Sequence, residues 1–398
     1  MDFSKIPGID SLGDLKGKRV FVRADFNVPL EGATITSDAR ITGALPTIKL
    51  LLGKGARVIL ASHLGRPEGT GFEKEFSLGP VAKRLSELLG FDVPLLPDCI
   101  GDQIHKSISG IHDGRAALLE NLRFHKSEKK GAEEFGKQLA ANADAYVNDA
   151  FGTCHRSDAS MVWPAKLLPS AAGLLVKAEV DAMAKVLDNP ARPCLAILGG
   201  AKVSDKIPLV NNLLPKVNEI CIGGGMAYTF LISQGIGIGN SLCDDTLVQE
   251  CKDILAQAAD LGVIIHLPTD HVVSDSMDSE QFEEVNGDVP DGKAAFDIGD
   301  NTATRFADAV KRAKTILFNG PMGVFEKERY SNGTKAVAQA IADATQGGAY
   351  SVVGGGDSAA AVEHFQLQDK MSHVSTGGGA SLTLLQGGEM PALEALSK

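Results

Sequence analysis

Five times in the second half of this chain a short apolar run stops at glycine. Gly199-Gly200 follows Cys194–Leu198, and Gly223-Gly224-Gly225 follows Glu219–Ile222. Asn319-Gly320-Pro321 follows Thr315–Phe318, Gly354-Gly355-Gly356 follows Tyr350–Val353, and Gly377-Gly378-Gly379 follows His373–Ser375. With Val263–Leu267, these runs are nearly continuous in apolar residues rather than alternating, the pattern of strands buried on both faces. Helical periodicity fills the gaps, at Asp205–Leu214, Thr246–Leu261, Asn301–Ala313, Gly333–Ala344 and Ser358–Phe365. Strand, turn and helix repeated in this way predict a parallel sheet with right-handed crossovers. Each glycine turn then falls at the carboxyl end of a strand, where open α/β sheets bind ligands.

The first half repeats the pattern. Strands are expected at Val20–Phe26, Val58–Leu64, Ala116–Phe124 and Ala145–Phe151, and helices at Arg40–Leu52, Gly79–Leu89 and Ala132–Asn142. A chain of 398 residues exceeds what one hydrophobic core usually supports, so two α/β domains are expected. The boundary lies near residues 170–190, where Leu174–Leu187 reads as one amphipathic helix ended by Asp188-Asn189-Pro190. The reading is a first domain over 1–172, an interdomain helix over 173–190 and a second domain over 191–388. The tail, 389–398, is too short to fold alone and is expected to dock on the first domain.

No apolar run approaches the ~18 residues of a membrane span. Met1–Lys5 lacks the basic-then-apolar order of a secretory signal, so a cytoplasmic protein without membrane contact is expected. The six cysteines are scattered without a CxxC pair, which fits reduced, buried thiols. The net charge of −11 argues against nucleic acid, but it is uneven. Residues 1–170 carry 22 Lys+Arg against 21 Asp+Glu, whereas residues 171–398 carry 17 against 29. Nine of the 13 arginines lie in the first 170 residues. Arg suits bidentate contact with carboxylate or phosphate, so a small anionic ligand is expected there.

Polar groups in that half gather at strand ends: Arg23–Pro29, Ser62–Pro67, Leu122–Phe124, and Asn148–Gly152 with Cys154-His155-Arg156. Arg40, Arg66, Arg123 and Arg156 at one sheet edge would repel one another unless an anion sat among them. In the second half, glycine lets backbone N–H groups approach a phosphate, and the helix that follows attracts its charge. Lys202 and Lys206 are spaced to share one helical face and suit a polyphosphate. Asp357 could hold Mg²⁺ through phosphate oxygens or cap a helix. There is no GxxxxGK[ST], no kinase-type GxGxxG, no Ser/His/Asp order and no His/Cys set with zinc-ligand spacing. No carboxylate pair points to acid/base catalysis, as is fitting where the nucleophile needs no deprotonation.

These motifs resemble those of the phosphoglycerate kinase family, in family order and over essentially the whole chain. The matching segments are Arg23–Pro29, His63–Pro67, Glu120–Phe124, Leu198–Lys206, Phe318–Glu326, Gly354–Ser358 and Thr376–Gly379. Departures are small: Ala24 where Val is usual, and Cys154 where a small residue is common. Cys154 puts a thiol near the expected anion site, where it should react more readily than the buried cysteines.

The resemblance implies two Rossmann-like, three-layer α/β/α domains with parallel sheets, joined by the interdomain helix. The first would bind 3-phosphoglycerate or 1,3-bisphosphoglycerate, and the second ADP or ATP with Mg²⁺. By family position Asp25, Phe26 and Asn27 would bind the glycerate. His63, Leu64, Gly65, Arg66, Arg123 and Arg156 would surround the phosphate that is not transferred. Arg40, Lys202, Gly377 and Gly378 would serve the phosphoryl in flight. Gly200, Ala201, Lys206, Gly223, Gly224, Asn319, Pro321, Val324, Glu326, Gly354, Gly355, Gly356 and Ser358 would bind the nucleotide, and Asp357 the metal. In-line transfer would follow domain closure, with hinges near Leu174 and Leu187–Pro190, and a monomer is the family expectation.

Two other readings stay open on the residues alone. A nicotinamide-dependent dehydrogenase would share the architecture but should show GxGxxG after its first strand, where this chain has Asp25-Phe26-Asn27. A non-catalytic nucleotide-sensing protein on the same fold would be expected to lack Lys202 or Arg40, and both are present.

Overall fold

A computed structural model describes residues 2–397. The chain divides into two compact units. One ends at Asp181 and is completed by the residues from Glu389 onward; the other is Ala182–Gly388.

In the first unit, β1 (Arg19–Ala24), β2 (Arg57–Ala61), β3 (Ala116–Leu118), β4 (Ala145–Asp149) and β5 (Ser170–Ala172) form a parallel sheet. Its order is β3-β2-β1-β4-β5. Val20 stands opposite Val58 and Ala145, and Val22 opposite Leu60 and Val147. Side chains alternate along a strand, so this register lines up one apolar face. Ile41, Ile48 and Leu51 of helix Ala39–Gly53 close over it with Val81 and Leu85 of helix Gly79–Leu89. Phe21 and Tyr146 stack on the opposite face, 6.0 Å apart. Each such buried side chain contributes about 1.5–3 kcal/mol.

The strands stop two to three residues short of the apolar runs, because the next residues turn out into loops. The largest correction is at Ala116–Phe124. Only Ala116–Leu118 is strand, and Leu122–Phe124 is a 3₁₀ turn. Asn121 forces the break: its Oδ1 accepts from Arg123 N at 3.0 Å, and its Nδ2 donates to Leu64 O and Phe76 O. A polar side chain that satisfies nearby backbone ends a ladder.

The second unit carries β6 (Cys194–Leu198), β7 (Glu219–Ile222), β8 (Ile264–His266), β9 (Asp270–Ser274), β10 (Glu283–Asn286) and β11 (Ala294–Ile298). β12 (Thr315–Asn319), β13 (Tyr350–Val353) and β14 (His373–Val374) follow. The parallel sheet runs β8-β7-β6-β12-β13-β14, and β10-β9-β11 form a small antiparallel sheet that the periodicity did not reveal. Leu195, Ile197, Ile316 and Phe318 pack against Phe306 and Val310 of helix Asp300–Arg312 and Ile341 of helix Asn332–Gln346. Helices Asp102–Ser109, Ala159–Leu167, Ala227–Ser233 and Gly379–Leu385 were likewise not anticipated.

Helix Leu174–Leu187 is present, and the division between the units falls within it. Its first amides are satisfied from helix Ala39–Gly53 and from β4. Leu174 N donates to Thr47 Oγ1 at 2.8 Å, and Leu175 N to Asp149 Oδ1 at 3.0 Å. Gly173 is required, since a Cβ there would lie 2.2 Å from Asp149 Oδ1. Helix Pro391–Leu396 clusters with the first unit and donates from Ala392 N to Cys154 O at 3.3 Å.

Candidate active site

The first unit holds a cleft of about 390 Å³ lined by Asn27, His63, Gly65, Arg66, Arg123 and Arg156, together with Lys129 and Asp158. Loops after β1, β2 and β4 and the turn after β3 deliver these groups. Arg123 is 6% exposed. Its Nη1 donates to Gly65 O at 3.0 Å, while Asp158 stands 3.5 Å from Nη2. Its Nε has no partner among the described residues. A buried donor without an acceptor is costly, and an anion in the cleft would relieve it. Asn27 Oδ1 accepts from Gly65 N at 2.8 Å, which leaves its Nδ2 donors for a ligand.

Behind His63 lies Arg23, which the sequence marks only as the start of a strand-end motif. Arg23 is fully buried within β1. Its Nε donates to Ser160 Oγ at 2.9 Å, and that hydroxyl donates to Glu128 Oε1 at 2.5 Å. Arg23 Nη2 meets His63 Nδ1 at 3.1 Å. Burial holds His63 well below the ordinary imidazole range, and Arg23, Arg123, Arg156 and Arg40 add to the effect. The signal was available: an arginine inside Val20-Phe21-Val22-Arg23-Ala24 has no solvent to face.

Arg40 and Asp25 do not line this cleft. Arg40 Nη1 binds Asp25 Oδ2 at 2.7 Å, and Asp25 Oδ1 accepts from Asn27 N at 3.1 Å. Phe26 and Leu64 are buried in the core, with their amides bound to Ser62 Oγ and Asn121 Oδ1. Cys154 corrects the expectation of a reactive thiol: it is wholly buried, and burial pushes its pKa far up. Cys243 is the exposed cysteine.

In the second unit, clefts form at two strand-end regions. One, of about 340 Å³, is lined by Lys206, Asn319, Gly355, Gly356, Asp357 and Gly378, with Gly320, Gly354, Ser358, Gly379 and Leu382 around them. Asn319 bridges β12 and β13, accepting from Lys206 Nζ at Oδ1 and donating from Nδ2 to Gly354 O at 2.7 Å. Burial lowers the Lys206 pKa, against the pull of Asp357 and Asp205. Helix Gly356–His364 opens onto this cleft with Asp357 exposed at its second position, and its N-cap is Gly355, not Asp357. The other cleft, of about 740 Å³, is lined by Ala201, Lys202, Gly225, Thr229, Leu242 and Cys243 among others. Leu242, 60% exposed, offers an apolar surface that no motif marked.

Two expectations for this unit are corrected. Lys202 and Lys206 do not share a helical face, because the helix starts only at Ile207. Five glycine amides after β6, β7 and β12 are taken up within the protein, Gly320 N by Ser358 Oγ and the other four by backbone carbonyls. Gly199 N, Gly200 N, Gly223 N and Gly224 N donate to Asn319, Pro321, Leu198 and Met322 carbonyls. Those loops cross one another: a Cβ on Gly199 would lie 2.1 Å from Pro321 O. Gly377 N is likewise bound to Ser375 Oγ at 3.2 Å. Gly223, Gly224, Pro321, Val324 and Glu326 line neither cleft; Val324 N is held by Phe296 O, and Glu326 is exposed. Asp297 braces this loop, accepting from Gly333 N and Ile298 N, and burial lifts its pKa to about 8.

Residues 9–388 match the family model described as phosphoglycerate kinase. The cytosolic phosphoglycerate kinase of Triticum aestivum is 49% identical over 389 residues, covering 97% of this chain and 96% of the relative. The phosphoglycerate kinase of Borrelia hermsii is 48% identical, covering 97% and 98%. The structure of phosphoglycerate kinase from Coxiella burnetii superposes with a TM-score of 0.92 at 43% identity over 98% of both chains. That from Pyrococcus horikoshii does so at 0.79 and 32%, again over 98% of both. The match runs through both units, and the chain belongs to the phosphoglycerate kinase family.

Proposed function

We infer that the chain catalyses reversible phosphoryl transfer between 1,3-bisphosphoglycerate and ADP, giving 3-phosphoglycerate and ATP. One observation carries the reading: a cleft lined by Arg66, Arg123 and Arg156 around the buried His63 stands in one unit, and a cleft pairing Lys206 with the Gly355–Asp357 helix start stands in the other. In the ATP-consuming direction the nucleophile is a carboxylate, ionised at pH 7 because carboxyl pKa values lie near 4. No general base is needed, and catalysis reduces to positioning and charge stabilisation.

On this reading His63, Arg66, Arg123 and Arg156 hold the phosphate that stays on the glycerate, with Asp25 and Asn27 on its backbone. Arg40, tethered by Asp25, meets the reacting carboxylate. Lys202 draws charge from the phosphoryl in flight, while Lys206 and the first amides of helix Gly356–His364 bind nucleotide phosphates. Gly378 adds backbone donors there; Leu242 and Gly225 flank the base, and Glu326 the ribose. Asp357 suits Mg²⁺, which typically takes one or two carboxylates with substrate phosphates. That ion would offset phosphate charge. Reacting atoms must come within about 3–3.5 Å, so closure of the two units accompanies turnover. One relative is named cytosolic, and no helix among the described residues is long and apolar enough to cross a membrane. We take this chain as a cytosolic monomer. A coupled assay with 3-phosphoglycerate, ATP and Mg²⁺ tests the function. No turnover with pure, folded protein would refute it.

A further inference from the structure

On the far side of the turn that carries Arg123, three different metal-ligand chemistries converge. Asp98 and Cys99 lie in the loop after Pro97, and His125 follows the Leu122–Phe124 turn. One donor atom from each lies within 4.8 Å of the others. His125 Nε2 is 2.6 Å from Asp98 Oδ1, an oxygen that also accepts from Cys99 N at 2.6 Å. Asp98 Oδ2 takes no part in those contacts. The thiol is wholly buried, whereas His125 and Asp98 are 28% and 48% exposed at their side chains. The cluster therefore has one fixed soft ligand, two adjustable ones and a path to solvent.

We propose that Asp98, Cys99 and His125 form a binding site for a borderline-soft divalent cation, Zn²⁺ above all, with water in the fourth position. Ligand atoms around tetrahedral zinc stand roughly 3.3–3.8 Å apart, given bonds of about 2.0–2.3 Å. The His125–Asp98 contact must open by about 1 Å, which two partly exposed side chains permit. Thiolate and imidazole select such a cation over Mg²⁺, which prefers oxygen ligands. Binding releases the Cys99 thiol proton to solvent, and His125 takes part as the neutral ring through Nε2, its remaining proton on Nδ1. The site is legible only in three dimensions, because His125 is 26 positions from Cys99 and the two cysteine-side ligands are adjacent.

The position gives the site a consequence. Lys126 N bonds to Gly69 O and Gly71 N to Phe124 O, so the segment after Arg123 also holds the loop that begins at Arg66. A cation would tie the Asp98-Cys99 loop to that segment.

The test uses the full chain, stripped with chelator and titrated with Zn²⁺, followed by competition with a chromogenic chelator and by thermal unfolding. We expect one ion per chain and a higher unfolding temperature. Cys99→Ser and His125→Ala should each weaken binding roughly tenfold or more, while Cys243→Ser should not. Co²⁺ should give a sulfur-to-metal charge-transfer band that Cys99→Ser abolishes. His125→Ala, at a partly exposed position, serves if Cys99→Ser fails to fold. No stoichiometric Zn²⁺ binding, or binding of unchanged strength in both Cys99→Ser and His125→Ala, would overturn the proposal.

Discussion

Arg23 Nη2 lies 3.1 Å from His63 Nδ1, and this contact decides which imidazole nitrogen carries the proton. A guanidinium can only donate, so Nδ1 accepts and the proton rests on Nε2. Protonation of the ring would put a second cation beside Arg23 in a buried site, which is why the His63 pKa is held down. Arg23 in turn leans on the Ser160–Glu128 pair, where burial raises the Glu128 pKa against the Arg23 charge. The cleft thus has a donor whose state does not vary through the neutral range.

His63 should therefore appear as the neutral Nε2–H tautomer throughout pH 6–8 in ring ¹⁵N NMR, with no titration there. A hydrogen bond to a charged group is worth about 1.5–3 kcal/mol, so His63→Ala should raise KM for 3-phosphoglycerate by roughly 10-fold or more. His63→Gln, which keeps a donor, should lose less. An imidazole that titrates at or above pH 6.5 contradicts the assignment.

Arg123→Ala and Arg156→Ala should each weaken 3-phosphoglycerate binding by roughly 10–100-fold and leave nucleotide affinity within about twofold. Arg123→Lys should not rescue, because the fork serves Gly65 O and the ligand at once. Calorimetric titration with each ligand alone distinguishes the cases. Equal losses for both ligands would mean that one shared site replaces two.

Lys202 and Lys206 should separate. Lys202 is exposed at the cleft, so Lys202→Ala should cut kcat by roughly 10²–10³ with little change in nucleotide Kd. Lys206 is tied to Asn319, so Lys206→Ala should weaken nucleotide binding as well. An unchanged turnover number in Lys202→Ala would return that residue to the solvated surface.

Much of this site could be read from the sequence because parallel sheets place their loops by rule. Once Cys194–Leu198 and Tyr350–Val353 are strands, Lys202 and Asp357 must follow at carboxyl ends. What escaped was set by packing between segments distant in sequence. Gly199 and Gly320 looked like phosphate-binding glycines, yet each is required by the other's backbone. Cys154 looked available beside His155 and Arg156, but it is wholly buried, with its thiol against Asn148 Oδ1 and Ala150 O. Arg23 was read as part of a motif, when its burial makes it the support of His63. Periodicity also failed at β9, β10 and β11, whose short strands mix charged and apolar residues, as in Glu283–Asn286.

The cap on helix Leu174–Leu187 gives a pH signature of its own. Asp149 accepts from Leu175 N and Val176 N at Oδ1, while its buried Oδ2 has no hydrogen bond of normal geometry among the described residues. Burial raises its pKa to about 6, against about 3.9 in an unfolded chain. A carboxyl with a raised folded pKa favours the protonated folded state. Its contribution is complete below about pH 4 and is lost as pH rises through about 6. At pH 8 the folded state therefore carries a buried charge costing about 3 kcal/mol, at 1.36 kcal/mol per pKa unit. Asp149→Asn keeps the Oδ1 acceptor and removes the charge. Trp163, the single tryptophan, lies in the same unit with its indole bound to Gly131 O, so its fluorescence reports unfolding there. Denaturant melts followed at Trp163 should show the variant gaining about 2 kcal/mol on the wild type between pH 4.5 and pH 8. Stability profiles that run parallel across that range would mean that Asp149 is solvated in solution and caps the helix as an ordinary carboxylate.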